Sequence, residues 1–259
     1  MKTILILGLL FTVLVSSICA EEIAVAAASD LNYALKDAAA RYERKTGDKI
    51  NLTFGSSGNF FSQIRSGAPY DIFFSADMDY PKKLAADGLL DPASLRTYAI
   101  GDLVLWYRRG IDMGPSRMPH DDIAAILEMP EIKRIAIANP EHAPYGRAAV
   151  AALESLGIRQ KIAGKLVFGE NVSQAAQFAE SGNAQAALIP LALAVSSAMK
   201  AAGSYKQLPP DSYPELQQGV AIVSSSHHKK AAQAFIDYIS SPEGAGILKQ
   251  YGFRVPAQK

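Results

Sequence analysis

The strongest constraint on this chain is a recurring unit: a short apolar run ends in small or polar residues, and apolar positions at helical spacing follow at once. Ile23 to Ala28 is one such run. Ser29-Asp30 closes it, and Leu31, Ala34, Leu35, Ala38, Ala39 and Tyr42 then keep the i, i+3, i+4, i+7 spacing until Gly47 stops the helix. Ile50 to Phe54 alternates as a strand, Gly55-Ser56-Ser57-Gly58 turns the chain, and Asn59 to Ser66 resumes helical spacing through Phe60, Phe61 and Ile64. Asp71 to Ala76 forms a third apolar run, with Pro81 in the first turn of a helix that ends near Gly88. Strands separated by helices return as parallel neighbours, so this order predicts an α/β fold with parallel sheets.

The second half repeats the pattern. Leu103 to Tyr107 is an apolar strand suited to passing from one lobe to another, and Gly110 to Pro119 is turn-rich. Ile135 to Ala138 is a strand leading through Asn139-Pro140-Glu141-His142-Ala143-Pro144-Tyr145-Gly146 into an alanine-rich helix that ends at Gly157. Leu166 to Phe168 leads through Gly169-Glu170-Asn171-Val172-Ser173 into a helix that ends at Gly182. Ala186 to Ile189 is a further strand. After Pro190 a helical stretch runs to Lys200, then a polar segment through Pro209-Pro210 and Pro214, the strand Val220 to Val223, a helix over Ala231 to Ser240 and a short one from Pro242. At 259 residues the chain exceeds the usual span of about 100–200 for one domain. Two lobes are expected, 21–102 with 217–259 and 103–216, hinged near 99–104 and 215–220.

Lys2, the apolar run Ile4 to Val15 and the small residue Ala20 before Glu21-Glu22 have the order of a secretory signal peptide over residues 1–20. The run is about 12 residues long, short of the ~20 of a membrane span. Cys19 is the only cysteine, and the large Ile18 before it argues against a lipidation site. The mature chain then lacks thiols altogether, which excludes disulfides, thiolate catalysis and cysteine-ligated metals. Lys and Arg total 26 against 25 Asp and Glu, and loss of Lys2 evens the balance, so no basic field for nucleic acid is expected. With 49% hydrophobic residues the chain can bury a large core.

In open α/β sheets ligands lie beyond the carboxyl ends of strands, where loops feed helix N-termini. Four such junctions here carry small or polar residues: Ala28-Ser29-Asp30, Gly55-Ser56-Ser57-Gly58, Ala143-Pro144-Tyr145-Gly146 and Glu170-Asn171-Val172-Ser173. Each can present unpaired N–H groups at the positive end of a helix dipole, and none contains Lys or Arg. Taken singly, Ser29 and Ser57 are ordinary helix caps. Four converging from two halves of the chain would surround a small oxyanion with hydrogen-bond donors. Tyr145 can be a ligand, a lid or packing, with its backbone N–H of more interest than its phenol.

Enzyme chemistry has less support. Gly55-Ser56-Ser57-Gly58-Asn59 imitates the nucleophile elbow G-x-S-x-G but breaks it at Asn59, which leaves a secreted serine hydrolase using Ser57 as a weaker alternative without a visible base. No phosphate-binding P-loop and no dinucleotide fingerprint follows a strand. His120 and His142 stand alone, and His227-His228 are adjacent, so their spacing does not suit a metal site. Asp71, Asp77 and Asp79 can form an acidic cluster, though solvation and helix capping are the commoner uses of such residues.

Taken together, Ala26-Ala27-Ala28-Ser29, Phe54-Gly55-Ser56-Ser57-Gly58, Gly67-Ala68-Pro69-Tyr70-Asp71-Ile72-Phe73-Phe74-Ser75-Ala76-Asp77, Asn139 to Gly146, Gly169-Glu170-Asn171-Val172 and the final Tyr251-Gly252-Phe253 resemble the periplasmic molybdate-binding proteins, receptors of bacterial ABC importers for molybdate and tungstate. The resemblance spans the mature chain. It implies a type II periplasmic binding-protein fold, two α/β lobes each with a mainly parallel sheet flanked by helices and two crossover hinges, with a tetrahedral oxyanion in the cleft. It also implies a non-enzymatic, monomeric periplasmic receptor that docks on an ABC permease and carries molybdate or tungstate as cargo, with no cofactor. Carried over by motif, Ser29 and Ser57 would donate hydroxyl and N–H groups and Tyr145 and Val172 backbone N–H groups, with Asp30, Gly58 and Asn171 as further candidates. Where some members carry a tyrosine whose hydroxyl reaches the anion, this chain has Pro190, which offers no donor. A ring of donors leaves any O–H on the anion without an acceptor and so disfavours hydrogen phosphate. Asp30 is expected to add to that discrimination if it faces the cleft, or else to cap its own helix. The alternative within the same fold is a receptor for another oxyanion or a small organic acid.

Overall fold

The computed structural model describes residues 20–111 and 122–256. The expected leader with Cys19 (apart from Ala20), His120 and most of the turn-rich stretch 110–119 lie outside the described residues. The chain opens with three strand–helix units: β1 (Glu22–Ala28) and α1 (Asn32–Thr46), β2 (Lys49–Gly55) and α2 (Ser57–Arg65), β3 (Ile72–Ser75) and α3 (Asp79–Ala86). The buried residues of α1 are Ala34, Leu35, Ala38, Ala39 and Tyr42, the apolar set read from the sequence, and Gly47 ends the helix at φ +84°, a left-handed position that glycine adopts without a Cβ clash.

After β4 (Arg96–Gly101) the chain crosses at Asp102 into β5 (Leu103–Arg108). There follow α4 (Ile123–Glu128), β6 (Ile135–Ala138), α5 (Pro144–Ser155), β7 (Leu166–Gly169), α6 (Val172–Glu180), β8 (Ala186–Pro190), α7 (Leu191–Ala194), α8 (Ser197–Ala202) and β9 (Gly203–Gln207). The chain then crosses back to β10 (Leu216–Ile222) and finishes with α9 (Lys229–Ser240) and α10 (Pro242–Gln250).

The strands form two five-stranded sheets, ordered β2-β1-β3-β10-β4 and β7-β6-β8-β5-β9. In the first, β1 runs parallel to β2 and β3 while β10 is antiparallel to β3 and β4. The second repeats this, with β6 parallel to β7 and β8 and β5 antiparallel to β8 and β9. The sheets are mainly parallel, as expected, with one antiparallel strand in each, and in both it is the strand that has just entered from the other lobe. Such a strand arrives through a short hinge instead of a helical crossover, so nothing turns it to run with its neighbours.

Helices cover both faces of each sheet. Leu35, Phe74, Phe235 and Ile247 share one core on the α1, α9 and α10 side of the first sheet, and Phe60, Ile64, Phe73 and Leu84 form a second core on its α2 and α3 side. The second lobe buries Trp106 fully, with its indole N–H donating to the Met199 carbonyl at 3.1 Å. Ala28 and Ala76 of the first lobe pack into this second core, so the lobes are closed on each other. Two strands escape the sequence pattern. β9 reads GSYKQ and is a mostly exposed edge strand without an apolar signature, and β4 lies where no strand is expected.

Candidate functional site

The carboxyl ends of β1 and β2 in one lobe face those of β6 and β7 in the other. The helical segments that follow, a 3-10 turn over Ser29–Leu31 together with α2, α5 and α6, direct their N-termini at one small cavity between the lobes. It is lined by Ser29, Asp30 and Ser57 from the first lobe and Tyr145, Asn171 and Val172 from the second, among backbone from Ala28, Gly55, Ser56, Ala76, Ala143 and Pro144. The volume open to the centre of a water-sized sphere is about 10 Å³, the scale of a water or a small ion. All four junctions singled out in the sequence meet here.

The donors are unused. Ser29 is buried, and its Oγ has no hydrogen-bond partner among the described residues. Ser57 is fully buried, and its Oγ accepts from the Ala76 N–H at 2.9 Å, which leaves the hydroxyl proton free to donate. The backbone N–H groups of Ser29, Ser57, Tyr145 and Val172 have no acceptor among the described residues, as expected in the first turn of a helix. Burying so many unsatisfied donors is costly unless something accepts from them. No Lys, Arg or His lines the cavity.

Caps hold the loops in place. Ser56, not Ser57, caps α2 by accepting from Asn59 N at 3.4 Å, and Asn171 caps α6 by accepting from Gln174 N at 3.1 Å. Pro144 occupies the first turn of α5, where its missing N–H costs nothing. Gly58, a candidate donor in the sequence, is not a lining residue. Its N–H crosses the cleft to the His142 carbonyl at 2.9 Å, and a Cβ there would stand 2.6 Å from that oxygen and from the Tyr80 hydroxyl. Pro190 ends β8 and does not line the cavity.

Asp30 does not cap its helix. Its carboxyl is buried in the cavity wall, where Oδ2 accepts from Gln218 Nε2 at 2.5 Å and Oδ1 has no side-chain partner. Burial pushes this carboxyl up to about 6 against the opposing pull of its hydrogen bonds to Gln218, Tyr145 and the backbone N–H groups of Asp30 and Leu31. Gln218 Nε2 also donates to the Tyr145 hydroxyl at 3.1 Å, and Gln218 Oε1 accepts from Tyr98 at 2.6 Å. The Tyr145 phenol thus joins a polar network bridging the lobes. Sequence reading missed Gln218, a fully buried amide on β10; its only trace is a polar residue at the head of the apolar run Gly219 to Ile222.

At the rim, Arg147 of α5 reaches across to Asp77 Oδ2 at 2.6 Å and to the Tyr80 hydroxyl at 3.1 Å, with its guanidinium 5.2 Å from the Tyr80 ring centre. Asn59 donates to Glu170 at 2.6 Å, and Ser173 Oγ to the Ser29 carbonyl at 3.1 Å. The three aspartates diverge. Asp71 accepts from Ala24 N and Ser226 Oγ, Asp77 accepts from Tyr80 N in the first turn of α3, and Asp79 lies in that same turn. No metal-binding cluster occurs among the described residues. Nor does Ser57 have a base: its Oγ is bonded to Ala76 N, and His142, the histidine nearest in sequence to these loops, directs Nε2 toward Glu170 at 3.6 Å while its buried Nδ1 has no partner.

Residues 23–254 match the family of bacterial extracellular solute-binding proteins. The chain is 37% identical over 234 residues to the molybdate-binding protein ModA of Azotobacter vinelandii, covering 90% of each. It is 36% identical over 234 residues to ModA of Rhodobacter capsulatus, covering 90% of this chain and 88% of that one. The solved structure of the Azotobacter vinelandii periplasmic molybdate-binding protein superposes with a TM-score of 0.82 at 33% identity, covering 90% of this chain and 99% of that one.

Proposed function

Because this chain belongs to the bacterial extracellular solute-binding protein family, whose members bind solutes instead of transforming them, we propose that it is a periplasmic receptor that captures molybdate, and tungstate with it, between its lobes and delivers the anion to the permease of an ABC importer. The observation that carries this reading is the convergence of four N-terminal helical segments on one ion-sized cavity with unsatisfied donors and no cation. Fixed dipoles and hydrogen bonds then take the place of water around a tetrahedral dianion.

In this reading the Ser29 and Ser57 hydroxyls and the N–H groups of Ser29, Ser57, Tyr145 and Val172 hold the anion, with Asn171 fixing the α6 terminus. Both lobes contribute to the shell, four donors from the first and two from the second, so the anion favours the closed form and draws the lobes together about the crossings at Asp102 and between Gln207 and Leu216. A rigid shell sized for the longer metal–oxygen bonds of molybdate and tungstate leaves the smaller sulfate poorly contacted. The receptor works as a monomer, its leader directs it across the inner membrane, and the permease is its macromolecular partner. Identities of 36–37% to molybdate-binding proteins over most of the chain support the choice of cargo.

The test is thermal unfolding of purified protein at matched ionic strength with molybdate, tungstate, sulfate or phosphate added separately. At about 100 times its Kd a ligand stabilises by about 2.7 kcal/mol. Molybdate and tungstate should raise the Tm and sulfate and phosphate should not; a rise with sulfate or phosphate alone would reassign the cargo.

A further inference from the structure

A buried carboxylate in the wall of an anion site is an anomaly, because it repels the cargo and is itself starved of water. Asp30 is such a group. It is 1% exposed and lines the cavity, Oδ2 accepts from Gln218 Nε2, and Oδ1 has no side-chain partner among the described residues. Among the described residues no cationic side chain lines the cavity or bears on this carboxyl. The polar groups that reach its carboxyl are the Gln218 amide from β10, the Tyr145 phenol from α5 and the backbone N–H groups of Asp30 and Leu31, with the Tyr98 phenol of β4 behind Gln218. From α6, Ser173 reaches only the neighbouring Ser29 carbonyl and carries no charge.

An orphaned oxygen in a ligand cavity admits two uses. Ionised, it would accept an O–H from the ligand and so welcome a protonated anion, the reverse of the discrimination expected from its place beside Ser29. As an acid, it would donate like every other group in the wall, and the cavity would contain donors alone. A dianion within hydrogen-bond reach stabilises the second form and opposes the first.

Building on the molybdate reading, we propose that Asp30 is a ligand-contacting specificity residue: with the dianion bound, its carboxyl is the neutral acid and donates a hydrogen bond from Oδ1 to an anion oxygen, so each anion enters together with one proton. Charge balances: the site passes from one negative charge, on the ionised carboxylate of Asp30, to two, both on the dianion, and this change of one equals the dianion's two negative charges plus the one positive charge of the proton. Gln218 holds Oδ2 as the acceptor and leaves Oδ1 to carry the proton. Because burial already raises this carboxyl toward neutrality in the empty site, proton uptake is partial near pH 6 and complete at pH 8.

The experiment is titration calorimetry with sodium molybdate on the wild type and on Asp30→Asn, from pH 6 to pH 9, at pH 8 in two buffers of different ionisation enthalpy. In the wild type, Kd should weaken about tenfold per pH unit above pH 7, with about one proton taken up per anion at pH 8. Asp30→Asn, which donates from its amide at every pH, should bind with a flat profile and no proton uptake. A flat wild-type profile without proton uptake overturns the assignment, as does binding that weakens on acidification. The proton count needs only wild-type protein, so a poorly folding variant does not blunt the test. Failure of the wild type to bind molybdate at any pH would instead remove the functional reading and this inference with it.

Discussion

Replacing Asp30 with Asn should stabilise the empty protein, and increasingly so as pH rises. Asp30 is fully buried, and its carboxyl is raised from 3.8 to about 6, chiefly by burial. The sign follows from which state holds the proton more tightly. The folded form does, so the unfolded chain ionises first and folding is penalised. The penalty is absent below about pH 3.8, grows between there and pH 6, and is full above. A shift of about 2 pK units corresponds to about 3 kcal/mol at pH 8 and roughly half that at pH 5. Asn carries no charge to desolvate, while its carbonyl can still accept from Gln218 Nε2 in the geometry now used by Oδ2. Urea unfolding of both proteins at pH 5 and pH 8, in buffers free of tetrahedral oxyanions, measures the difference. The stability advantage of Asp30→Asn should widen by about 1.5 kcal/mol between the two pH values. An equal or shrinking advantage would show that Asp30 is not raised by burial, and the reasoning from its isolation would fail.

Ser29→Ala should leave the empty protein as stable or slightly more so, since it deletes a buried hydroxyl without a partner, yet weaken molybdate binding about 10- to 100-fold, the worth of a hydrogen bond to a charged group; calorimetry and thermal melts read the two effects separately. Gly58→Ala places a methyl group against the His142 carbonyl and the Tyr80 hydroxyl, so it should oppose closure and weaken binding at least tenfold while changing the ligand-free Tm by little, with small-angle scattering showing a ligand-bound form that stays open. Arg147→Met removes the rim contacts to Asp77 and Tyr80. Because Arg147 is 42% exposed, the expected loss is modest, a severalfold faster anion release in stopped-flow with no change in unfolding free energy of the empty protein; unchanged release would mean the clasp does not hold the closed form.

What the sequence determined by itself was local and periodic. The spacing of Ala34, Leu35, Ala38, Ala39 and Tyr42 could bury only one face of a helix, and Ile135 to Ala138 could only be a covered strand, so the elements and their α/β class were legible. So were the four junctions, because small residues, a serine or a proline after a buried strand leave helix N–H groups free whatever the rest of the chain does. Convergence was not legible. Ser29 and Val172 are far apart in the chain, and only the packing of two separately wound sheets brings their loops to one cavity. The same holds for strand direction, since β5 and β10 run against their sheets because of where they enter. It holds most of all for Asp30 and Gln218, a polar pair joined by a 2.5 Å hydrogen bond across most of the chain's length. A lone aspartate beside a serine has the signature of a helix cap. Burial, the absence of a cation and an oxygen without a partner are properties of its surroundings, and those exist only once the lobes have closed.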